Sequence, residues 1–151
     1  MALNPEFVGR VYPPSAPYLV GREKIREFAE AVGDRNPAYH DVDAARALGH
    51  ADLVAPPTFA IVMSMRASHA VIHDPELGLD YSRVVHGEQH FTYTRPIVAG
   101  DELTVTTSIE SIRTMAGNDM ITTRGDIATL AGESVATTTS LIISRAPEDA
   151  A

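Results

Sequence analysis

The sequence predicts an α+β domain in which a mostly antiparallel sheet wraps one buried helix. Three observations carry that prediction. Helical spacing of apolar residues is confined to the chain up to about residue 75, and two-residue alternation to the chain from about residue 83. Runs of helix followed by runs of strand mark segregated α+β folds. Between the two regions, Phe59, Ala60, Ile61, Val62, Met63, Met65, Ala67, Ala70 and Val71 face most directions around a helix, the pattern of a buried helix.

The elements follow in order. The opening through Tyr12-Pro13-Pro14 reads as a loop, because two prolines fix φ and remove two donors. A short strand is expected at Tyr18 to Val20. From Arg22 to Val32 the apolar residues Ile25, Phe28, Ala29 and Val32 keep the spacing of an amphipathic helix, and Gly33 stands where a left-handed cap closes it. A second short helix is expected from Val42 to Leu48, stopping at Gly49. Pro56-Pro57 then open the apolar helix, since proline is tolerated in a first turn. Val85, Gly87, Gln89, Phe91 and Tyr93 are expected on one face of the first long strand, with His86, Glu88, His90 and Thr92 on the other. Pro96 and Gly100-Asp101 mark a turn, and Leu103, Val105, Thr107 and Ile109 form the next apolar face. After Gly117-Asn118 a strand is expected from Met120 to Thr129. After Ala131-Gly132-Glu133 the last runs from Val135 to Ser144, dense in Thr, Ile and Val, which suit a pleated surface.

Composition narrows the function classes. The 151 residues suit a single domain, 1–151, with the tail 146–151 expected to fray. The net charge of −8 and a pI near 5.1 set general nucleic-acid binding aside. There is no Cys, so disulfides, thiolate nucleophiles and Cys-type zinc sites are excluded. The same absence is compatible with a reducing cytosol. Neither a membrane-spanning apolar run nor a basic-then-apolar leader over Met1 to Gly9 is visible, and a cytoplasmic location is expected. His69 and His73 are spaced i, i+4, but no accompanying Glu pattern supports a metal site, and no metal or cofactor is expected.

One segment concentrates chemistry: Gly33-Asp34-Arg35-Asn36-Pro37-Ala38-Tyr39-His40-Asp41. An Asp and a His on one rigid loop supply a proton acceptor and a group that orients it or a water, and Asn36 could hold them. The same residues are also common turn formers, and Asp41 could simply cap the next helix. On composition alone the turn reading is favoured over a site.

This loop resembles the hydratase loop of the MaoC-like family, the (R)-specific enoyl-thioester hydratases and dehydratases. Three stretches agree with that resemblance in order. Leu48-Gly49-His50 through Leu53-Val54-Ala55-Pro56-Pro57-Thr58-Phe59 is similar to the lead-in to the family's central helix. Val85-His86-Gly87-Glu88-Gln89-His90-Phe91 is similar to its first long strand. Arg95-Pro96-Ile97-Val98-Ala99-Gly100-Asp101 is similar to the turn after it. The resemblance covers about residues 5 to 145. It implies a hot-dog fold, assembly as a homodimer or a heterodimer with a related protein, and acyl thioesters of coenzyme A or acyl carrier protein as substrates. Within the family the chain is most similar to the paired (3R)-hydroxyacyl-ACP dehydratases of actinobacteria. In those pairs one subunit carries the catalytic residues and the other shapes the acyl tunnel.

Two departures bear on activity. The family pattern is Asp-x-Asn-Pro-x-His, with His five positions after Asp. Here Tyr39 holds that position and His40 follows it. The family reads Ala-His-Gly at the head of the helix, where the glycine N–H holds the thioester oxygen. Here Pro57 stands in that place and has no N–H. Loss of one such donor costs about 10²- to 10³-fold in rate.

Two readings follow. In the first the chain is a hydro-lyase on (3R)-hydroxyacyl or trans-2-enoyl thioesters, alone or in a pair. The resemblance then makes Asp34 and His40 the acid/base pair and Asn36 the residue that orients them. Tyr39, Pro57, Thr58 and Phe59 would lie against the substrate. In the second the chain is a non-catalytic subunit that holds the acyl chain for a catalytic partner. A thioesterase would need a carboxylate on the central helix, and Thr58 to His73 contains none. A binding module for another ligand stays open, because fold does not set function.

Overall fold

The computed structural model describes residues 3–145, so the tail expected to fray lies outside the described residues. Strand β1 (Tyr18–Leu19) leads into helix α1 (Arg22–Ala31). A 3₁₀ turn (Pro37–Tyr39), helix α2 (Val42–Ala47) and helix α3 (Ile61–Ile72) follow. The sheet is completed by β2 (Val84–Tyr93), β3 (Glu102–Met115), β4 (Asn118–Thr129) and β5 (Ser134–Ser144). All pairings are antiparallel, in the order β1-β3-β4-β5-β2. Among the described residues the strand β2 pairs with β5 alone and forms the outer edge.

Both short helices end as their glycines predict. After α1, Gly33 adopts φ +74°, its N–H bonding to Glu30 and that of Asp34 to Ala29. After α2, Gly49 adopts φ +91°, with the equivalent bonds from Gly49 to Arg46 and His50 to Ala45. Each pair satisfies two carbonyls of the final turn, and a side chain in that left-handed conformation would be strained. Asp41 caps α2, its carboxylate accepting from the Asp43 N–H at 2.8 Å.

The inner face of the sheet carries two apolar clusters. One gathers Ile25, Leu53, Phe59, Ile97, Val105 and Ile127. The other gathers Phe7, Tyr12, Val71, Leu77, Ile109 and Ile121. Between them runs a polar band: Thr107 on β3, Thr123 and Gly125 on β4, and Thr138 and Ser140 on β5.

The structure corrects two expectations. Helix α3 is not enclosed on every side in the single chain. Met63, Ala67 and Val71 are buried at helical spacing, whereas Met65 is 60% exposed. The sheet covers one face of the helix, and an all-round apolar surface needs more cover than one sheet provides. The second correction concerns β2. Pairing with β5 shifts between His86 and Glu88, so Gly87 is bulged out of the ladder. One extra residue reverses the alternation. His86 therefore shares the inner face with Gln89, instead of lying opposite it, and its Nε2 is 3.2 Å from Gln89 Oε1.

Candidate functional site

The chemistry-bearing loop is held on two sides. Val54 N–H bonds to the Ala38 carbonyl, and Arg26 Nε donates to the His40 carbonyl at 3.0 Å. The lead-in to α3 is pinned in turn to the segment after β2: Ala55 N–H donates to Ile97 at 2.8 Å, and Ala99 N–H to Leu53 at 2.9 Å. That segment is braced by Arg95, whose guanidinium grips Asp101 through two bonds of 2.9 and 3.0 Å and reaches Glu133 at 2.8 Å. Paired, directional bonds of this kind fix a planar group's orientation. These ties border a cavity of about 400 Å³ that includes Asn36, Tyr39, His50, Pro57, Tyr93 and Arg95 among its walls.

The structure distributes the expected site residues unevenly. Asn36, Tyr39 and Pro57 line the cavity together. Asp34 and His40 do not pair as carboxylate and imidazole. His40 Nε2 lies 3.2 Å from the backbone carbonyl of Asp34, while the Asp34 carboxylate accepts from the Asn36 N–H at 3.1 Å. The Asn36 side chain accepts from Ala38 N–H at 3.0 Å, closing the 3₁₀ turn. The loop thus makes the nested turns its composition favours, and the one-residue displacement of the histidine turns its ring toward the main chain. Phe59 does not reach the cavity. It is fully buried, and its ring meets Phe28 edge-on at 5.4 Å between centroids. Thr58 is exposed at the head of α3, outside the cavity wall.

Tyr39 takes the place the family gives to histidine. Burial first, and then the negative charge of Asp34, raise its phenol above the usual tyrosine value. It is therefore protonated at neutral pH, a hydrogen-bond donor and not a base.

The head of α3 is occupied from within. The Tyr93 hydroxyl donates to the Pro57 carbonyl at 2.6 Å. Burial raises the Tyr93 phenol, and the Ala60 N–H facing its oxygen pulls the other way. The Phe59 amide is spent on Pro56 at 2.9 Å. The Ala60 N–H at the N-terminal cap of α3 thus faces a phenol oxygen. Sequence reasoning missed Tyr93 and His50 as cavity residues. Tyr93 was legible as an inward position on β2, but only the fold shows that β2 ends beside the head of α3.

Among the described residues no group of three His, Asp or Glu side chains is placed to hold a metal. His69 and His73 meet as an edge-on ring pair at 5.4 Å, and His73 also faces Tyr81. No described helix is long and apolar enough to cross a membrane.

Comparison with known proteins gives a consistent assignment. The family model described as "FAS1-like, dehydratase domain region" matches residues 6–138. A UPF0336 protein of Streptomyces coelicolor is 61% identical over 150 residues, covering 99% of this chain and 100% of the relative. A solved structure described as a MaoC-like dehydratase superposes with a TM-score of 0.86 at 38% identity, covering 95% of this chain; this chain spans 43% of that longer one. The C-terminally truncated HadBC complex of Mycobacterium tuberculosis, a (3R)-hydroxyacyl-ACP dehydratase, superposes with a TM-score of 0.80 at 31% identity over 91% of this chain and 96% of that one. The curled five-stranded antiparallel sheet around α3 is the hot-dog arrangement of these structures, and the chain belongs to the MaoC-like, hot-dog dehydratase family.

Proposed function

We propose that this protein is the acyl-thioester-binding subunit of a (3R)-hydroxyacyl-thioester dehydratase or trans-2-enoyl-thioester hydratase. A related hot-dog protein with an intact Asp…His loop supplies the chemistry. One observation carries the reading: the His40 ring addresses the Asp34 main chain and not its carboxylate. General acid–base catalysis needs the proton-transferring group within reach of the reacting atoms and oriented toward them. A second observation agrees with it. Pro57, in the turn four residues ahead of the first residue of α3, has no N–H, and the Ala60 N–H at the helix cap faces the Tyr93 phenol oxygen.

Assembly with a partner has a physical motive. Among the described residues strand β2 has one neighbour, and its outer edge presents unpaired backbone groups. The Met65 side of α3 is also uncovered. The similar HadBC structure is a complex of two proteins, which supports a hot-dog partner here. The thioester carrier would be coenzyme A or acyl carrier protein. The reading requires neither metal nor redox cofactor, because water addition across an activated double bond is proton chemistry. It also requires no membrane or nucleic acid, and it fits a cytoplasmic protein.

The test is direct. The purified protein is incubated with a short trans-2-enoyl-CoA, and loss of the enoyl absorbance is followed. Asp34→Ala is run in parallel. The expected result is no hydration by the protein alone and hydration once an intact MaoC-like partner is added. Fast hydration by the protein alone, abolished in Asp34→Ala, would instead make it a self-sufficient enzyme.

A further inference from the structure

A second cavity, of about 280 Å³, lies between α3 and the sheet and shares no lining residue with the first. Its floor is the polar band between the two apolar clusters: Thr107, Thr123, Thr138 and Ser140, joined by His86 and Gln89 from β2. Ser64 and Ser68 of α3 form part of its roof. They lie four and eight residues past Ala60, so roughly 6 and 12 Å along the helix axis from its head.

The band is arranged, not merely polar. His86 Nε2 lies 3.0 Å from Ser140 Oγ and 3.2 Å from Gln89 Oε1. Gln89 Nε2 donates to the Thr139 carbonyl at 3.3 Å. Gly125 keeps the floor open, because a Cβ there would come within 2.8 Å of Thr138 Oγ1 and 3.1 Å of Val105 Cγ1. Thr107 is 4% exposed and lines the cavity. Its Oγ1 is the one buried side-chain polar atom among the described residues without a hydrogen-bond partner. Buried hydroxyls are normally satisfied; this one is enclosed, and a rotation of the Thr107 side chain would turn it toward a group in the cavity.

We infer that this cavity receives an acyl chain bearing a hydroxyl group along its length, in preference to a plain alkyl chain. The inference rests on the acyl-thioester reading above and adds a substrate class to it. A plain chain would strip water from Thr123, Thr138 and Ser140 and return no hydrogen bond. A hydroxylated chain joins the His86–Ser140 pair and, once the Thr107 side chain rotates toward the cavity, bonds to its Oγ1 as well. Sites built to bond a substrate hydroxyl discriminate strongly against the analogue that lacks it.

The test compares octanoyl-CoA with 8-hydroxyoctanoyl-CoA, and dodecanoyl-CoA with 12-hydroxydodecanoyl-CoA, by titration calorimetry. The protein is used as purified, with its partner if one accompanies it. At one of the two lengths the hydroxylated chain is expected to bind at least about tenfold more tightly. That preference should fall below about twofold in Thr107→Val and Thr138→Val, which keep the side-chain shape and remove the hydroxyl. If either variant fails to fold, Ser140→Ala and the amide NMR shifts of Thr107 and Thr138 on adding the hydroxylated chain replace it. Equal or weaker binding of the hydroxylated chains at both lengths overturns the inference, as does a preference that survives in the folded variants. If no thioester binds, the free acids are titrated. Preference for a hydroxy acid then upholds the cavity and rejects the thioester reading, whereas no preference, or no binding, rejects the cavity.

Discussion

The Tyr93 hydroxyl bonds to the Pro57 carbonyl across 2.6 Å, tying the end of β2 to the turn that opens α3. The contact joins residues 36 apart in sequence and places a phenol oxygen where a helix terminus would otherwise meet a ligand. Tyr93→Phe removes the donor and leaves the Pro57 carbonyl without it. The expected loss is about 1 kcal/mol in urea unfolding. Without the hydroxyl the Ala60 N–H is released, so acyl-CoA binding should hold or tighten. A weaker-binding Tyr93→Phe would show instead that the hydroxyl itself contacts the substrate.

His40 faces the main chain of its own loop, so its contribution is to the shape of that loop. His40→Ala should cost about 1 kcal/mol of stability while leaving the hydratase rate of the reconstituted pair within about twofold, since no transition-state interaction is lost. A fall of about 100-fold or more, with the fold intact by circular dichroism, would return His40 to the catalytic machinery.

Gly125 stands where the floor of the second cavity is tightest. Gly125→Ala should destabilise by about 1–3 kcal/mol, because the new methyl forces Thr138 and Val105 apart in a packed sheet. Thermal or urea unfolding checks it, and a neutral result would mean that the strands part at no cost.

The loop that carries His50 is clamped by Arg22, which holds Asp52 through two bonds of 2.9 and 2.7 Å. Those bonds, ahead of the other influences, bring the Asp52 carboxyl down to about 2 from the ordinary 3.8. A carboxylate whose folded value lies below its unfolded value adds stability above the unfolded value and loses it as pH falls toward the folded one. The contribution should therefore disappear between about pH 4 and pH 2. Urea midpoints across that window should decline less steeply in Asp52→Asn than in the parent. Parallel declines would mean the clamp is idle in solution.

Much of this architecture was legible in the residues themselves. Apolar spacing in α1, two glycine-closed helices and Thr/Ile/Val-rich strands are local properties, set by backbone sterics within a few residues, and sequence alone determined them. The resemblance carried by Asp34-Arg35-Asn36-Pro37 and its companion stretches pointed to the right family for the same reason. Tertiary structure decided what depends on partners distant in the chain. The bulge at Gly87 comes from pairing with β5 and reverses which face His86 occupies. Phe59 is drawn into the core by Phe28. The His40 ring turns toward the Asp34 carbonyl because nested turns, and Arg26 on the His40 carbonyl, set its direction. Whether Tyr93 reaches Pro57, or Thr107 is left without a partner, depends on how β2, β3 and α3 pack. No local pattern encodes that, because burial and hydrogen-bond satisfaction are settled only when the layers close.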